Sequence, residues 1–115
     1  MARNTLGNEG LPYPTQQALK VLGENIKTAR KRRRWTLDEM AGSMLVTRKT
    51  LSRLETGDPA VSLAVMAAAL HVLGMTDDLS NIAAPERDNI GLFNEKRRLP
   101  QKIHKKKGRT DILDF

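Results

Sequence analysis

The sequence predicts an all-α fold: a compact domain of five short helices, with a flexible lead-in before it and a basic tail after it. Three observations carry that expectation. Apolar residues recur at intervals of three and four, which gathers them on one helix face at about 100° per residue, and no stretch alternates as a strand would. Thr36, Thr47 and Ser62 each have an apolar residue immediately before and another four positions after, the pattern of a stapled helix start. The first and second of these segments are separated only by a tight turn around Leu45 and Val46.

Residues 1–14, rich in Gly, Asn and Pro, read as a disordered lead-in. A first helix is expected from Thr15 to Arg33, with Leu19, Leu22, Ile26 and Ala29 as its inward stripe. Its cationic last turn suits the negative end of the helix dipole. The second helix, in TLDEMAGSML, starts at a capping box, with Thr36 as cap and Glu39 three residues on; Trp35 and Met40 form the staple. The third, in LVTRKTLSRLETG, is capped by Thr47 between Val46 and Leu51. It stops at Gly57, a left-handed C-terminal position, with Pro59 just beyond. Leu51 and Leu54 are its whole apolar side, so it must take its stability from its neighbours. The fourth, SLAVMAAALHVLGM, is capped by Ser62 between Val61 and Met66. It is apolar almost all round, which places it centrally or at a subunit interface. A fifth short helix in TDDLSNIA, capped by Thr76, completes a compact region over residues 15–84. Ile90, Leu92 and Phe93 mark one more ordered turn or short helix within a short extension, 85–98. The remainder, 99–115, is a basic tail, mobile from Leu99 to Gly108 and ending in TDILDF. Met40, Met44, Met66, Met75 and His71 are expected to be packing residues.

The chain carries +7 at neutral pH, with an isoelectric point near 10.1. Of its 20 Lys and Arg residues, 17 lie in three clusters: Lys27–Arg34, the third helix, and Lys96–Arg109. That distribution favours a polyanionic partner such as nucleic acid. The absence of cysteine excludes disulfides, thiolate zinc sites and thiol chemistry. Two isolated histidines make no metal site, and no phosphate-cradling glycine loop or nucleophile–base pair is present, so neither a cofactor nor catalysis is expected. No apolar run approaches the ~20 residues of a membrane span, and MARNTLGNEGLPYP lacks the apolar core of a secretory signal.

Two short helices joined by a tight turn describe a helix-turn-helix, whose second helix enters the major groove and offers its N-terminal residues to base edges. That groove is about 12 Å wide and admits one helix. Such a helix needs small apolar residues behind and hydrogen-bond donors in front, which is how LVTRKTLSRLETG is composed. Arginine and lysine pair with guanine O6 and N7, and hydroxyls at Thr47, Thr50 and Ser52 reach phosphates or bases. From Leu22 to Met75 the sequence resembles the phage-repressor helix-turn-helix regulators, often called the Cro/repressor or XRE family. The resemblance rests on R-x-x-R-x-W-T from Arg30 to Thr36, Met40–Ala41, TLSRLETG and Leu73–Gly74. It implies base readers at Arg48, Lys49, Ser52 and Arg53, and a partly buried ion pair between Arg30 and Glu55. Beside such a motif, Thr36, Thr47, Thr50, Arg33 and Arg34 are expected against the DNA backbone. Two positions depart from the family: Leu37 stands where a phosphate-touching Gln is common, and Leu45 where the turn commonly has Gly. The second predicts a turn without the usual left-handed glycine, with somewhat different geometry.

Together with RRLPQKIHKKKGRTDILDF, this domain is similar to antitoxins of the HipB type, which repress their own operon and bind a HipA-like kinase toxin. The reading is then a bacterial cytoplasmic, nucleoid-associated repressor; because one recognition helix contacts only a few base pairs, a homodimer on a palindromic double-stranded operator is expected. The resemblance implies a toxin kinase as partner; Ile112, Leu113 and Phe115, apolar residues costly to expose and flanked by aspartates, are expected as a docking segment, and the dimer contact is placed on helix five and the segment after it. Three rivals remain: a stand-alone repressor, a coactivator or bridging module without a toxin, and a basic RNA-associated protein. The last would need stacking aromatics, and the basic clusters carry none beyond Trp35.

Overall fold

The structure, a computed structural model, describes residues 10–103, and from residue 98 onward only the course of the backbone. Every regular element is helical among the described residues: α1 (Tyr13–Arg32), α2 (Leu37–Met44), α3 (Arg48–Glu55), α4 (Leu63–Leu73), α5 (Thr76–Asn81) and α6 (Asn89–Ile103), with one 3-10 turn at Pro85–Arg87. The chain divides after Leu79 into two compact units.

In the first unit α3 packs against α1, α2 and α4, and α2 and α1 also meet α4. The core is Ile26, Met40, Ala41, Met44, Leu51, Leu54, Ala69 and Leu73. Its two fully buried large side chains, Met40 and Leu51, are the inner halves of the staples that open α2 and α3. The outer halves, Trp35 and Val46, pack against the same cluster, as do Val61 and Met66 at the start of α4. Each staple thus does two things at once: it sets a helix's entry angle and fills the core. All three caps are formed. Thr36 Oγ1 accepts from Glu39 N–H at 3.0 Å while Thr36 N–H donates to Glu39 Oε1 at 2.8 Å. Thr47 and Ser62 hydroxyls accept from Thr50 and Val65 N–H at 3.1 and 3.2 Å.

All four helices of this unit end the same way. A left-handed residue follows each, Arg34, Leu45, Gly57 and Gly74, with φ of 61°, 63°, 82° and 78°. The next residue's N–H reaches back to the carbonyl five positions earlier: Trp35 to Arg30, Val46 to Ala41, Asp58 to Arg53 and Met75 to Leu70. This is the Schellman closure. The departure at Leu45 therefore does not change the turn. Leu45 adopts the left-handed conformation that glycine takes more cheaply, because the two closing hydrogen bonds and the Val46 side chain packed on the core hold it there. Leu37, the other departure, packs against the core.

Several expectations shift in detail. The first helix starts at Tyr13 rather than Thr15, since Pro14 sits in a first turn where its missing N–H costs nothing. His71 is exposed on α4 and is not a packing residue, and Met75 is at the surface too. In the second unit Ile90, Leu92 and Phe93 lie in a helix, α6, which continues past Leu99, where a mobile segment is expected from the sequence, to Ile103. Asp88 starts it by accepting the Gly91 N–H at 2.9 Å. Residues 1–9 of the lead-in and 104–115 of the tail, with Ile112, Leu113 and Phe115, lie outside the described residues.

Candidate nucleic-acid interface

The eight residues of α3 divide cleanly. Leu51, Leu54 and Glu55 are buried, whereas Arg48, Lys49 and Arg53 are exposed and Ser52 is half-buried beside them. The four residues expected to read bases are therefore together on the outward side of one short helix. The hydroxyls of Thr47 and Thr50 stand 2.9 Å apart at its N-terminal end. The Lys49 ammonium and Ser52 hydroxyl have no side-chain partner among the described residues. The two arginines do. Arg48 lies 3.9 Å from Asp38 across the turn, with both side chains mostly in solvent, so this pair is weak and easily exchanged for another anion. Arg53 Nε donates to Asp58 Oδ2 at 2.9 Å. Asp58 Oδ1 also accepts the Ala60 N–H at 2.8 Å, and these two contacts, the backbone one first, hold the Asp58 carboxyl below its ordinary pKa.

What holds α3 in place is the pair of Arg30 and Glu55. Arg30 Nε donates to Glu55 Oε2 at 2.7 Å and Nη2 to Oε1 at 3.1 Å, a two-pronged contact with both side chains out of solvent. The remaining prong, Nη1, donates to the Trp35 carbonyl at 2.9 Å. A carboxylate in the last turn of a helix faces unpaired carbonyls and is disfavoured there; the Arg30 guanidinium offsets that and ties α1, the α1–α2 turn and α3 into one frame. Two glycines bring α1 and α3 together. A Cβ at Gly23 would stand 2.5 Å from the Glu55 carbonyl oxygen, and one at Gly57 2.7 Å from Lys20 Cα. Gly23 had no signal in the sequence, because a glycine inside a helix does not say which backbone approaches it.

The residues expected at the DNA backbone separate. Thr36 and Thr47 are exposed caps at the starts of α2 and α3, Thr50 is half-buried beside Thr47, and Arg34 is exposed at the left-handed turn. Arg33 is occupied within the fold: its guanidinium donates to the carbonyls of Ala29 at 2.8 Å and Leu73 at 2.9 Å, and it lies over the Trp35 ring. It joins the end of α1 to the end of α4. A cation in a basic run gives no sequence sign that a carbonyl 40 residues away will claim it.

No described helix is long and apolar enough to cross a membrane. A family model described as a helix-turn-helix domain matches residues 21–81. No curated protein and no solved structure matches the chain.

Proposed function

The chain belongs to the helix-turn-helix domain family, and from that premise we propose that it is a sequence-specific, double-stranded-DNA-binding transcriptional repressor. One observation carries the reading. An eight-residue helix buries two leucines and a paired carboxylate and turns Arg48, Lys49, Ser52 and Arg53 outward together. Donors in that arrangement match the acceptor edges of guanine in a groove that accepts one helix. Trp35 is packed against the core, which leaves the Lys27–Arg34 run no ring on which to stack an unpaired base and disfavours the RNA-associated alternative. Three cations on the outward face likewise fit DNA better than a bridging role that does not touch it.

A single eight-residue helix reaches few base pairs, so we take the working species to be a homodimer on a palindromic operator. The dimer contact is assigned to α5 and the segment after it, where Ile82 presents an exposed apolar side chain. The biological role we favour is that of a HipB-like antitoxin, which rests on the likeness of the tail and on the apolar residues of TDILDF spaced by aspartates. Such a protein would act in a bacterial cytoplasm at its own operon, with a HipA-like kinase as partner.

Selection of duplexes from a randomised pool should return one preferred, two-fold symmetric sequence. On that duplex Arg48→Ala should cost about 1–3 kcal/mol and relax the preference at one base pair of each half-site, with a much smaller loss on random DNA. Equal losses on both would mean that Arg48 touches only phosphate. Failure to enrich any sequence would refute the reading altogether.

A further inference from the structure

We propose that Asp58 is a positioning residue for base readout: it grips Arg53 by Nε and aims the two terminal amino groups of the guanidinium away from α3 as a fixed fork. The inference rests on the reading of α3 as the base-reading helix. The link between the two residues is reciprocal. The Asp58 N–H donates to the Arg53 carbonyl at 3.1 Å, closing the end of α3, while Arg53 Nε donates to Asp58 Oδ2 at 2.9 Å. The carboxylate is itself immobilised, because its other oxygen accepts the Ala60 N–H at 2.8 Å. The residue before it, Gly57, is left-handed and so close to α1 that a Cβ there would fall 2.8 Å from the Leu19 carbonyl oxygen. Asp58 is therefore anchored through Gly57 to the α1–α3 contact, and the half-exposed Arg53 side chain is tethered to it at Nε.

The consequence for recognition follows from the shape of the guanidinium. Its five N–H groups lie in one plane; Nε uses one, and the four on Nη1 and Nη2 remain to face an acceptor pair. An unheld arginine can swing to any nearby phosphate, and must lose its rotamer freedom on binding a base. Here part of that ordering is done before DNA arrives. The same carboxylate repels phosphates, so it weakens sequence-blind binding while sharpening sequence-dependent binding. Specificity is a difference between two affinities, and Asp58 acts on both sides of it.

Asp58→Asn separates the roles. The asparagine Oδ1 can still accept the Ala60 N–H, but its amide presents N–H groups to Arg53 Nε, donor against donor, and releases the arginine. Affinity is measured for the duplex selected from a randomised pool, for single-base variants of it, and for a random duplex. The expected result is tighter binding of the random duplex and about a tenfold loss of preference at the base pair that Arg53→Ala also relaxes. In an Arg53→Ala background the substitution should leave preference unchanged, because Asp58 acts through Arg53. Equal tightening on every duplex, unchanged preference, or the same loss in both backgrounds would each overturn the proposal. If Arg53→Ala itself leaves preference intact, Arg53 does not read bases, and both this inference and that part of the functional reading fall. A measurement on the unmodified protein guards against a variant that does not fold: the Arg53 Nε–H should exchange slowly with solvent, free and on the selected duplex. Fast exchange in the complex would show that the grip is released on binding and would overturn the proposal.

Discussion

Arg30 and Glu55 form a contact whose two halves are worth little apart. Each is buried, each would be costly alone, and three hydrogen bonds from the Arg30 guanidinium join α1, the α1–α2 turn and α3. Glu55→Ala leaves the Arg30 guanidinium buried with only the Trp35 carbonyl, so the domain should lose about 3–5 kcal/mol. DNA affinity should fall only as far as folding does, which a thermal melt run beside an operator titration will separate. An unchanged melting temperature with lost binding would make Glu55 a contact residue. Leu45 is the opposite case, a residue whose side chain contributes nothing to the core. It is 91% exposed and held left-handed at φ 63°. Leu45→Gly removes backbone strain of about 1–2 kcal/mol and returns part of that as greater freedom of the unfolded chain. A net gain of about 0.5–1 kcal/mol is expected in denaturant unfolding, and a loss would show that Leu45 makes a contact worth more than its strain.

Short helices need defined ends, and here the ends are made from one recurring connector. Arg34-Trp35-Thr36 and Leu45-Val46-Thr47 each place a left-handed residue, an apolar residue and a threonine cap between two helices; Gly74-Met75-Thr76 repeats the composition, but Thr76, expected as a cap, is itself the first residue of α5. The left-handed residue stops one helix and the threonine stands at the start of the next; in the first two connectors the apolar residue in between also reaches the core. This makes the angle between α2 and α3 a property of three residues, and the presentation of α3 follows from it. The closeness of α1 and α3 has a different cause, the absence of a side chain at Gly23. Gly23→Ala forces the two helices apart against the geometry of the Arg30–Glu55 contact and should cost about 1–3 kcal/mol in a thermal melt. No shift would mean that the helices slide without loss.

At the scale of the whole molecule, cations lie on the outward face of α3 and, in the sequence, in a second cluster from Lys96 to Arg109. Lys102, Lys105, Lys106, Lys107 and Arg109 can each add a phosphate contact and steepen the salt dependence of binding by about one unit of slope. TDILDF has no cation, so its removal tests the antitoxin role without touching the electrostatics. Deleting Thr110 to Phe115 should leave operator binding nearly intact and weaken binding of the neighbouring gene product, by more than ~2 kcal/mol if Phe115 fills a pocket there. Parallel titrations against operator and partner decide it; an unchanged partner affinity returns the segment to an inert tail.

Helix starts, the position of the turn, the inward leucines and the outward cations of α3 were all legible in the sequence, because each depends on residues within about four positions of one another. The family-wide resemblance added the Arg30–Glu55 pair. What the linear pattern could not decide was where a side chain goes once distant segments meet. Arg33 reads as one more cation beside DNA and also joins the ends of α1 and α4; His71 reads as packed and is exposed; Arg53 reads as a base reader, with nothing in the sequence to show that Asp58 pairs with it. Gly23 gives no sign in the sequence of the α3 backbone that lies against it. A hydrogen bond to a carbonyl 40 residues away, or the space beside a missing Cβ, depends on how helices cross. That is set by the packing of the whole unit rather than by any local run of residues.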